Sequence, residues 1–224
     1  MTTDQVTDSL SPTPRATPRR KRERGSHERA LVNTVLDEAV VCHVGFVADH
    51  GPVVLPMTYA RIDDDLYLHG AAGNDMLRHL TAVAGVCVTV TLLDGLVFAR
   101  SAFHHSMNYR CVVLFGQATR VTDLEEMQSM TRALLDHLAP GRSADARPPT
   151  AAELRSTLIL RLPIDEGSAK VRTGGPVDDP ADLTLPVWAG EVPLRLVAQS
   201  PIPDAGAGDA PAVPGYIIDR VARA

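Results

Sequence analysis

The middle of the chain contains a strict alternation of apolar and small polar residues. Apolar side chains occupy every second position from Val86 to Leu92, with a cysteine and two threonines between them. Because side chains alternate between the two faces of a β-strand, this pattern predicts a strand with one buried face. Further short apolar runs are also typical of strands, and they cover 41–48, 53–60, 66–69, 109–121, 158–163 and 167–172. The Asp94-Gly95 pair predicts a turn.

Helical segments are fewer, and they do not alternate regularly with the strands. Apolar residues recur at helical spacing after Ser26, and 74–81 also has a helical pattern. Residues 122–125 and 150–153 have the spacing of capping boxes, which mark helix starts. The strand–helix rhythm of a parallel sheet is missing. The chain is therefore predicted to be mainly β (α+β), a barrel of six or more short strands with a few peripheral helices.

Composition excludes several classes of protein. With 45% hydrophobic and 22% charged residues, the chain is too apolar to be mostly disordered. A net charge of −5 argues against a protein built to neutralise nucleic acid phosphates. No apolar run approaches the roughly 18 residues of a membrane span. The three cysteines lack the spacing of a metal site or a disulfide framework.

The two ends of the chain differ from the rest. Residues 1–25 are predicted to be a disordered basic arm, 26–197 a single folded domain, and 198–224 a flexible extension. The arm is interpreted as a solvated tail rather than a nucleic-acid-binding segment. Its Arg19-Arg20 pair resembles an export signal, but 26–38 is charged and lacks the apolar region that a signal peptide requires. A cytoplasmic location is therefore expected.

The densest polar cluster of the folded region, 102–110, comes directly before a long apolar strand. Its adjacent histidines, His104 and His105, have the chemistry for proton transfer or for metal binding. Neighbouring strand residues point to opposite faces, which disfavours a shared metal ion. The cluster is therefore interpreted as a polar pocket wall, with three side chains on one strand face: Ser106, Asn108 and Arg110.

Two other segments have the chemistry of an anion site. Ser168, Lys170 and Arg172 alternate with small apolar residues, so their polar groups share one strand face. That face is either an anion site or a solvated surface. Residues 67–77 combine a strand, a Gly/Ala loop and a helix start, which suits either a phosphate or a plain packed turn. Trp188, the single tryptophan, either packs structurally or contacts a ligand at a subunit boundary.

The order of these motifs resembles the flavin-nucleotide-binding branch of the pyridoxamine 5'-phosphate oxidase-like split-barrel family, to which the nitroimidazole-resistance reductases are similar. The resemblance covers about residues 26–197. The matching segments are 36–39, 42–46, 67–70, 91–97, 104–110, 141–142, 147–150, 168–174 and 187–190.

The resemblance implies a six-stranded split β-barrel and a homodimer with two FMN molecules across its interface. It further implies an FMN-dependent oxidoreductase acting on a small organic substrate, with His105 as proton donor and Arg110 stabilising negative charge on the flavin. The cofactor-binding residues that it implies are Thr58, Tyr59, Arg61, His69, Gly70, Asn74, Ser106, Asn108, Tyr109, Lys170, Arg172 and Trp188.

Two positions depart from the family pattern. Asp75 stands at a helix start where relatives usually have a cation, and Cys111 stands where serine is common. Haem is therefore an alternative cofactor, with an axial ligand among His43, His69, His104 and His105. A binding or regulatory protein that keeps the fold with little cofactor chemistry is a further alternative.

Overall fold

The computed structural model describes residues 8–82, 85–204 and 212–222. Within these residues ten strands form one antiparallel sheet, in the order β1-β9-β6-β5-β2-β3-β4-β8-β7, with β10 pairing with β5. The strands are β1 (Gly25–Ser26), β2 (Val41–Ala48), β3 (Gly51–Ile62), β4 (Asp65–Ala71), β5 (Val86–Phe98), β6 (Ser106–Gly116), β7 (Thr119–Arg120), β8 (Thr157–Pro163), β9 (Glu166–Arg172) and β10 (Gly190–Pro193).

The sheet curls into a barrel that stays open along one seam. β8 and β9 are consecutive in the chain, yet no ladder joins them in the part of the chain that the structure describes. β8 instead packs across the barrel, where a Cβ on Gly116 of β6 would lie 2.7 Å from Leu162 Cδ1. The predicted split β-barrel is confirmed, with ten strands in the sheet instead of six.

The inward-facing residues of the alternating strands form the barrel core. Val88 and Val90 of β5 are at most 1% exposed, and Val112 and Leu114 of β6 are fully buried beside them. Apolar burial of this kind stabilises a fold by about 25 cal/mol per Å² of apolar surface removed from water. The core is aliphatic, and Tyr59 is its largest fully buried side chain.

The helices cover the outside and one end of this barrel. Val32, Val35 and Leu36 of α1 belong to the barrel core, whereas α3 forms a smaller cluster with Tyr67 of β4. None of the helices in the described residues is long and apolar enough to cross a membrane. The helices are α1 (Arg29–Glu38), α2 (Asp75–Leu80), α3 (Leu124–Leu138), α4 (Arg142–Asp145), α5 (Ala151–Arg155) and α6 (Gly215–Ala222).

Residues 8–25 depart from the disordered arm that the sequence predicts. Leu10 is 1% exposed and belongs to the barrel core. The amide of Ser11 donates to the carbonyl of Asp165 at 2.7 Å, and β1 then pairs with the edge of β9. A single leucine in a polar run has no periodicity, so sequence patterning does not reveal its burial. The first seven residues of that predicted arm lie outside the described residues.

The Asp94-Gly95 pair lies inside a strand and does not form the predicted turn. β5 continues through it to Phe98, with a register shift between Leu93 and Gly95. A Cβ on Gly95 would lie 3.1 Å from the carbonyl oxygen of Val192 in β10. The glycine therefore allows β10 to approach closely, and the irregularity is typical of a β-bulge.

The C-terminal extension predicted for 198–224 falls only partly within the described residues, because 205–211 and 223–224 are outside them. Residues 198–204 have no regular secondary structure. In α6 the hydroxyl of Tyr216 donates to Asp145 Oδ2 at 2.8 Å and accepts from Arg142 Nη1 at 3.1 Å. The last helix is thereby held to the α4 region.

Candidate functional site

Four strands, β5, β6, β9 and β10, meet at one mouth of the barrel. Ser106 at the start of β6 pairs with Val97 of β5, and Tyr109 pairs with Arg172 at the end of β9. β10 begins opposite Phe98, the last residue of β5. This register brings together about half of the residues predicted to bind the cofactor: Ser106, Asn108, Tyr109, Lys170, Arg172 and Trp188.

A buried polar network crosses this mouth. Arg172 and Asn108 are only 6% and 7% exposed. Nη1 of Arg172 donates to the side-chain oxygen of Asn108, and the Asn108 amide donates to Glu191 Oε2 at 2.6 Å. The guanidinium also donates to the carbonyls of Gly174 at 2.7 Å and Gly175 at 2.9 Å. One arginine therefore links three parts of the chain: β6, the end of β9 with the residues that follow it, and β10.

Arg172 is a buried cation surrounded by uncharged oxygens. Its acceptors are two backbone carbonyls and one side-chain amide, and no carboxylate of the described residues forms an ion pair with it. Buried charges in proteins are normally paired directly, whereas the carboxylate of Glu191 is linked to this guanidinium only through Asn108. Ser168, Lys170 and Arg172 share one strand face as predicted, but Ser168 is 7% exposed. The face is not a plain solvated surface.

Arg110, two residues further along β6 than Asn108, has the opposite environment. Its Nε and Nη2 donate to Asp94 at 3.0 and 2.8 Å, and the same guanidinium donates to both oxygens of Glu38. These two carboxylates raise the pKa of Arg110 above its usual range. Its charge is compensated within the chain, which makes it a structural clamp between α1, β5 and β6.

Two loops, 99–105 and 173–189, lie together above the mouth. The side chain of Asp178 is almost fully buried and accepts from both the backbone amide and the guanidinium of Arg100, each at 2.9 Å. His104 Nε2 lies 3.4 Å from Asp179 Oδ2. The pKa of Asp178 is lowered by hydrogen bonds from Arg100, although burial, the largest single influence, opposes the shift.

An aromatic group lines the exposed side of the mouth. The ring of Phe98 lies 5.8 Å from that of His105 and 5.9 Å from that of Trp188. Trp188 is 65% exposed, so the indole has a free face. His105 Nδ1 lies 3.0 Å from the carbonyl oxygen of Ser101, and a carbonyl only accepts. Nδ1 therefore carries a proton, and Nε2 is available for proton exchange.

The other predicted cofactor residues lie on β3, β4 and the start of α2, and most are used structurally. Tyr59 is fully buried, and its hydroxyl lies 2.5 and 2.9 Å from the carbonyls of Leu36 and Ala39. Burial raises its pKa. A Cβ on Gly70 would lie 2.8 Å from Leu77 Cδ1. Thr58 is exposed on β3.

The charges expected to hold a phosphate in this second region have partners of their own. Arg61 makes two hydrogen bonds of 2.7 Å to Asp37, which raise its pKa. The side chain of Asn74 caps α2 by accepting from the amide of Leu77 at 3.1 Å. Asp75 is exposed and pairs with Arg78 one turn later. Of the two interpretations given for residues 67–77, these contacts favour a packed turn over a phosphate site.

The structure does not bring the two regions together within one copy of the chain. Thr58 on β3 and Lys170 on β9 are separated by β2, β5 and β6 in the strand order. At about 4.8 Å between neighbouring strands, that is about 19 Å along the curved sheet. The two regions therefore lie on well separated strands of the sheet.

His69 stands apart among the four histidines considered as haem ligands. Its Nδ1 is buried and has no hydrogen-bond partner among the described residues. Burial lowers its pKa below the usual value, so the ring is neutral at pH 7 with an unshared electron pair available. His43 is exposed on β2. No group of three or more metal-ligating side chains occurs in the described ranges.

Several residues that shape the mouth were not predicted from the sequence. Glu191 and Asp178 anchor Asn108 and Arg100, and Glu38 and Asp94 hold Arg110. Each of these carboxylates lies 16 to 83 positions along the chain from the residue that it contacts. The sequence signal for them is weak, because each acts through a partner that is distant along the chain.

Comparisons with known proteins place this chain in a family. Among solved structures it is similar to the flavocytochrome Anf3 from Azotobacter vinelandii, with 34% identity and a TM-score of 0.86, covering 96% of this chain and 98% of that one. It is similar to the FAD and haem binding protein from Mycobacterium smegmatis, with 35% identity and a TM-score of 0.84, covering 88% and 97%.

A candidate 5-nitroimidazole antibiotic resistance protein from Bacteroides thetaiotaomicron shares the fold, at 22% identity and a TM-score of 0.56, covering 66% of this chain and 86% of that one. A comparison with curated proteins found no match. The family model described as pyridoxamine 5'-phosphate oxidase matches residues 28–171. The family predicted from the sequence motifs is confirmed, and the chain belongs to the pyridoxamine 5'-phosphate oxidase family.

Proposed function

We propose that this chain is an oxidoreductase that binds a flavin nucleotide and haem and acts on a small organic substrate. The observation that carries the proposal is its similarity, at 34% and 35% identity, to a flavocytochrome and to an FAD and haem binding protein. Both similarities extend over nearly nine tenths of the chain or more. The two cofactors considered as alternatives from the sequence are therefore proposed to occur together.

The mouth of the barrel has the chemistry for the flavin. Arg172 presents a fixed positive charge that forms no direct ion pair with a carboxylate of the described residues, and Lys170 lies on the same strand face. These two cations would hold an anionic part of the cofactor, while Ser106 and Tyr109 line the same mouth. When bound, a flavin supplies electron or hydride transfer, and the protein supplies position and charge.

His105 is the proposed proton donor at this mouth. Its ring is exposed beside Phe98, and the hydrogen bond from Nδ1 to the carbonyl of Ser101 fixes the tautomer. Arg110 was the second catalytic residue predicted from the sequence. Its two carboxylate partners compensate its charge, so we propose that it positions α1 and β5 rather than acting on the flavin.

We propose FAD as the flavin, with FMN, the sequence-based prediction, as the alternative. The support is the similar protein from Mycobacterium smegmatis, whose name specifies FAD. In this chain Arg61 and Asn74, which were predicted to hold the phosphate of FMN, are already engaged with Asp37 and with the amide of Leu77. The flavin released from the purified protein by heat can be identified by mass spectrometry.

His69 fits the role of haem ligand. Its imidazole is neutral because burial lowers the pKa, and its buried Nδ1 has no hydrogen-bond partner in the described part of the chain. Leaving a buried nitrogen unpaired costs about 1–3 kcal/mol, which coordination to a metal would offset. Haem bound there would supply one-electron chemistry, and its potential would depend on this ligand and on burial.

A homodimer is part of the proposal. Three valines of one outer face are well exposed: Val41 at 42%, Val47 at 69% and Val54 at 63%. Their register places them on the same side of β2 and β3. An exposed apolar patch of this kind usually marks an interface. Thr58 pairs with Val41 in this register, so a second copy covering the patch would also lie over Thr58.

The absorption spectrum of the purified protein tests the proposed cofactors. We expect both the visible bands of a flavin and the Soret band of haem. The variant His69→Gln should lose the Soret band and keep the flavin bands, whereas His50→Gln, a matched change in the exposed turn after β2, should keep both. Protein that stays colourless after incubation with FAD, FMN and haem would overturn the proposal and favour a binding or regulatory role.

A further inference from the structure

The charge of this chain is distributed very unevenly. Residues 15–24 contain six cations and a single carboxylate, Glu23. With a total charge of −5, this short segment contributes +5 and the rest of the chain contributes −10. The segment was interpreted from the sequence as a solvated tail. The structure gives it a defined position.

Contacts with the barrel hold this segment in place at both ends. Near its start, Arg15 donates to Glu166 at 2.5 and 2.7 Å, and Ala16 is 2% exposed. Near its end, Gly25 pairs with Lys170 of β9. Between these anchors, the Lys170 ammonium donates to the carbonyl of Arg20 at 3.2 Å. The cations are therefore displayed from a fixed backbone.

We use the name basic loop for the five cations between these anchors: Arg19, Arg20, Lys21, Arg22 and Arg24. None of them forms an ion pair with a carboxylate of the described residues. The first four are exposed. Lys21 has a φ of 55°, a left-handed conformation that residues with a Cβ seldom adopt. Such conformations concentrate at functional sites.

The basic loop lies close to the proposed flavin site. Lys170, which contacts the loop, is two residues before Arg172 on the same strand face. At about 3.3 Å per residue, the two positions are about 7 Å apart along β9. A protein that docks on the basic loop would therefore be placed beside the mouth of the barrel.

We propose that the basic loop is a docking surface for an acidic electron-transfer protein that exchanges electrons with the bound cofactor. Its role in electron exchange rests on the proposed function, whereas docking itself does not. Complementary charge speeds encounter and sets orientation over a limited contact area. A long nucleic acid would extend beyond the loop onto the rest of the chain, which has a net charge of −10. Residues 19–24 contain no apolar side chain that could insert into a membrane.

Binding of a small acidic redox protein tests this proposal independently of the cofactors. Fluorescently labelled flavodoxin is titrated with the full-length protein at low and at physiological salt. We expect binding that weakens as salt rises and that falls about tenfold or more in the double variant Arg19→Glu/Arg22→Glu. The matched control is Arg132→Glu/Arg155→Glu, which reverses two exposed charges on α3 and α5.

Every outcome of the binding experiment either supports or overturns the docking proposal. Loss of binding in the loop variant alone supports the proposal. Equal loss in both variants shows a net-charge effect and overturns it, as does no loss in either or no binding by the unmodified protein. Tighter salt-sensitive binding of a DNA duplex, or of phosphatidylglycerol vesicles, that depends on the loop would also overturn it in favour of that polyanion.

Electron transfer is measured separately, so that failure of the proposed function can be recognised. Reduced flavodoxin is mixed with the cofactor-loaded protein, and cofactor absorbance is followed. We expect the loop variant to slow this reduction about tenfold while leaving cofactor content and reduction by dithionite unchanged. Protein without bound cofactor refutes the proposed function, and the binding titration still decides whether the loop docks an acidic protein.

Discussion

At the scale of single residues, three arginines predicted to serve the cofactor have three different environments. Arg61 is paired with Asp37, Arg110 is held by two carboxylates, and Arg172 contacts only uncharged oxygens. The residue type was therefore a poor guide to role. The three arginines differ in their hydrogen-bond partners. Those partners lie 2 to 72 residues away along the chain.

Glu166 gives a residue-scale prediction about pH. Hydrogen bonds from Arg15 and then Thr13 lower its pKa from 4.5 to about 2. Because the pKa of Glu166 is lower in the folded than in the unfolded state, its ionised carboxylate stabilises the folded state at pH values above the unfolded pKa. This stabilisation is lost as pH falls. We expect residues 10–16 to lose hydrogen-exchange protection as pH falls from about 5 toward 2.

The control for this prediction is Glu166→Gln, which keeps the shape of the side chain and removes its charge. In this variant the same amides should be less protected at neutral pH, with little further change in acid. Protection that falls equally with pH in both proteins would show that another group controls the acid response.

At the scale of elements, the N-terminal segment behaves as part of the barrel. Leu10 is buried beside Gly167, where a Cβ would lie 3.2 Å from Leu10 Cδ2. Removing a buried leucine side chain costs about 3 kcal/mol. We expect Leu10→Ala to lower the free energy of unfolding by that amount in urea denaturation.

An exposed leucine provides the comparison for this substitution. Leu196 is 94% exposed, so Leu196→Ala should change stability by less than about 0.5 kcal/mol. Similar stability changes in the two variants would contradict the placement of Leu10 in the core. A deletion of residues 1–24 should be at least as destabilising as Leu10→Ala.

The elements show how far sequence reasoning reaches. The strand alternation around Val88 predicts its burial correctly, because period two is a direct consequence of strand geometry. The turn predicted at Asp94-Gly95 is wrong. The prediction depends on the local backbone preferences of these two residues, and pairing of β5 with β10 overrides them. Burial of Leu10 and the charge environment of Arg172 depend on contacts between distant segments. Neither has a local pattern.

At the scale of the whole molecule, the exposed valines of β2 and β3 predict self-association. We expect the purified protein to have a mass near twice 24.0 kDa by light scattering. Placing a charge in an apolar interface is strongly unfavourable, so Val54→Glu should shift the protein toward monomer. It should also reduce cofactor content if the second copy completes the site.

The matched control is Leu124→Glu, because Leu124 is 56% exposed and Val54 is 63% exposed, yet Leu124 lies at the start of α3. That variant should keep the mass of the unmodified protein. A monomer at all concentrations in the unmodified protein would refute the dimer, and dissociation in both variants would show that the face at β2 and β3 is not the interface.

The pairing of Ser11 with Glu166 has a consequence for how the chain folds. This bridge and the burial of Leu10 join positions more than 150 residues apart, so the first segment cannot reach its final place until β9 exists. During synthesis the basic loop is made well before β9, so it stays unanchored until β9 has formed. Long-range closure of this kind slows folding, and docking of the N-terminal segment is expected among the last steps.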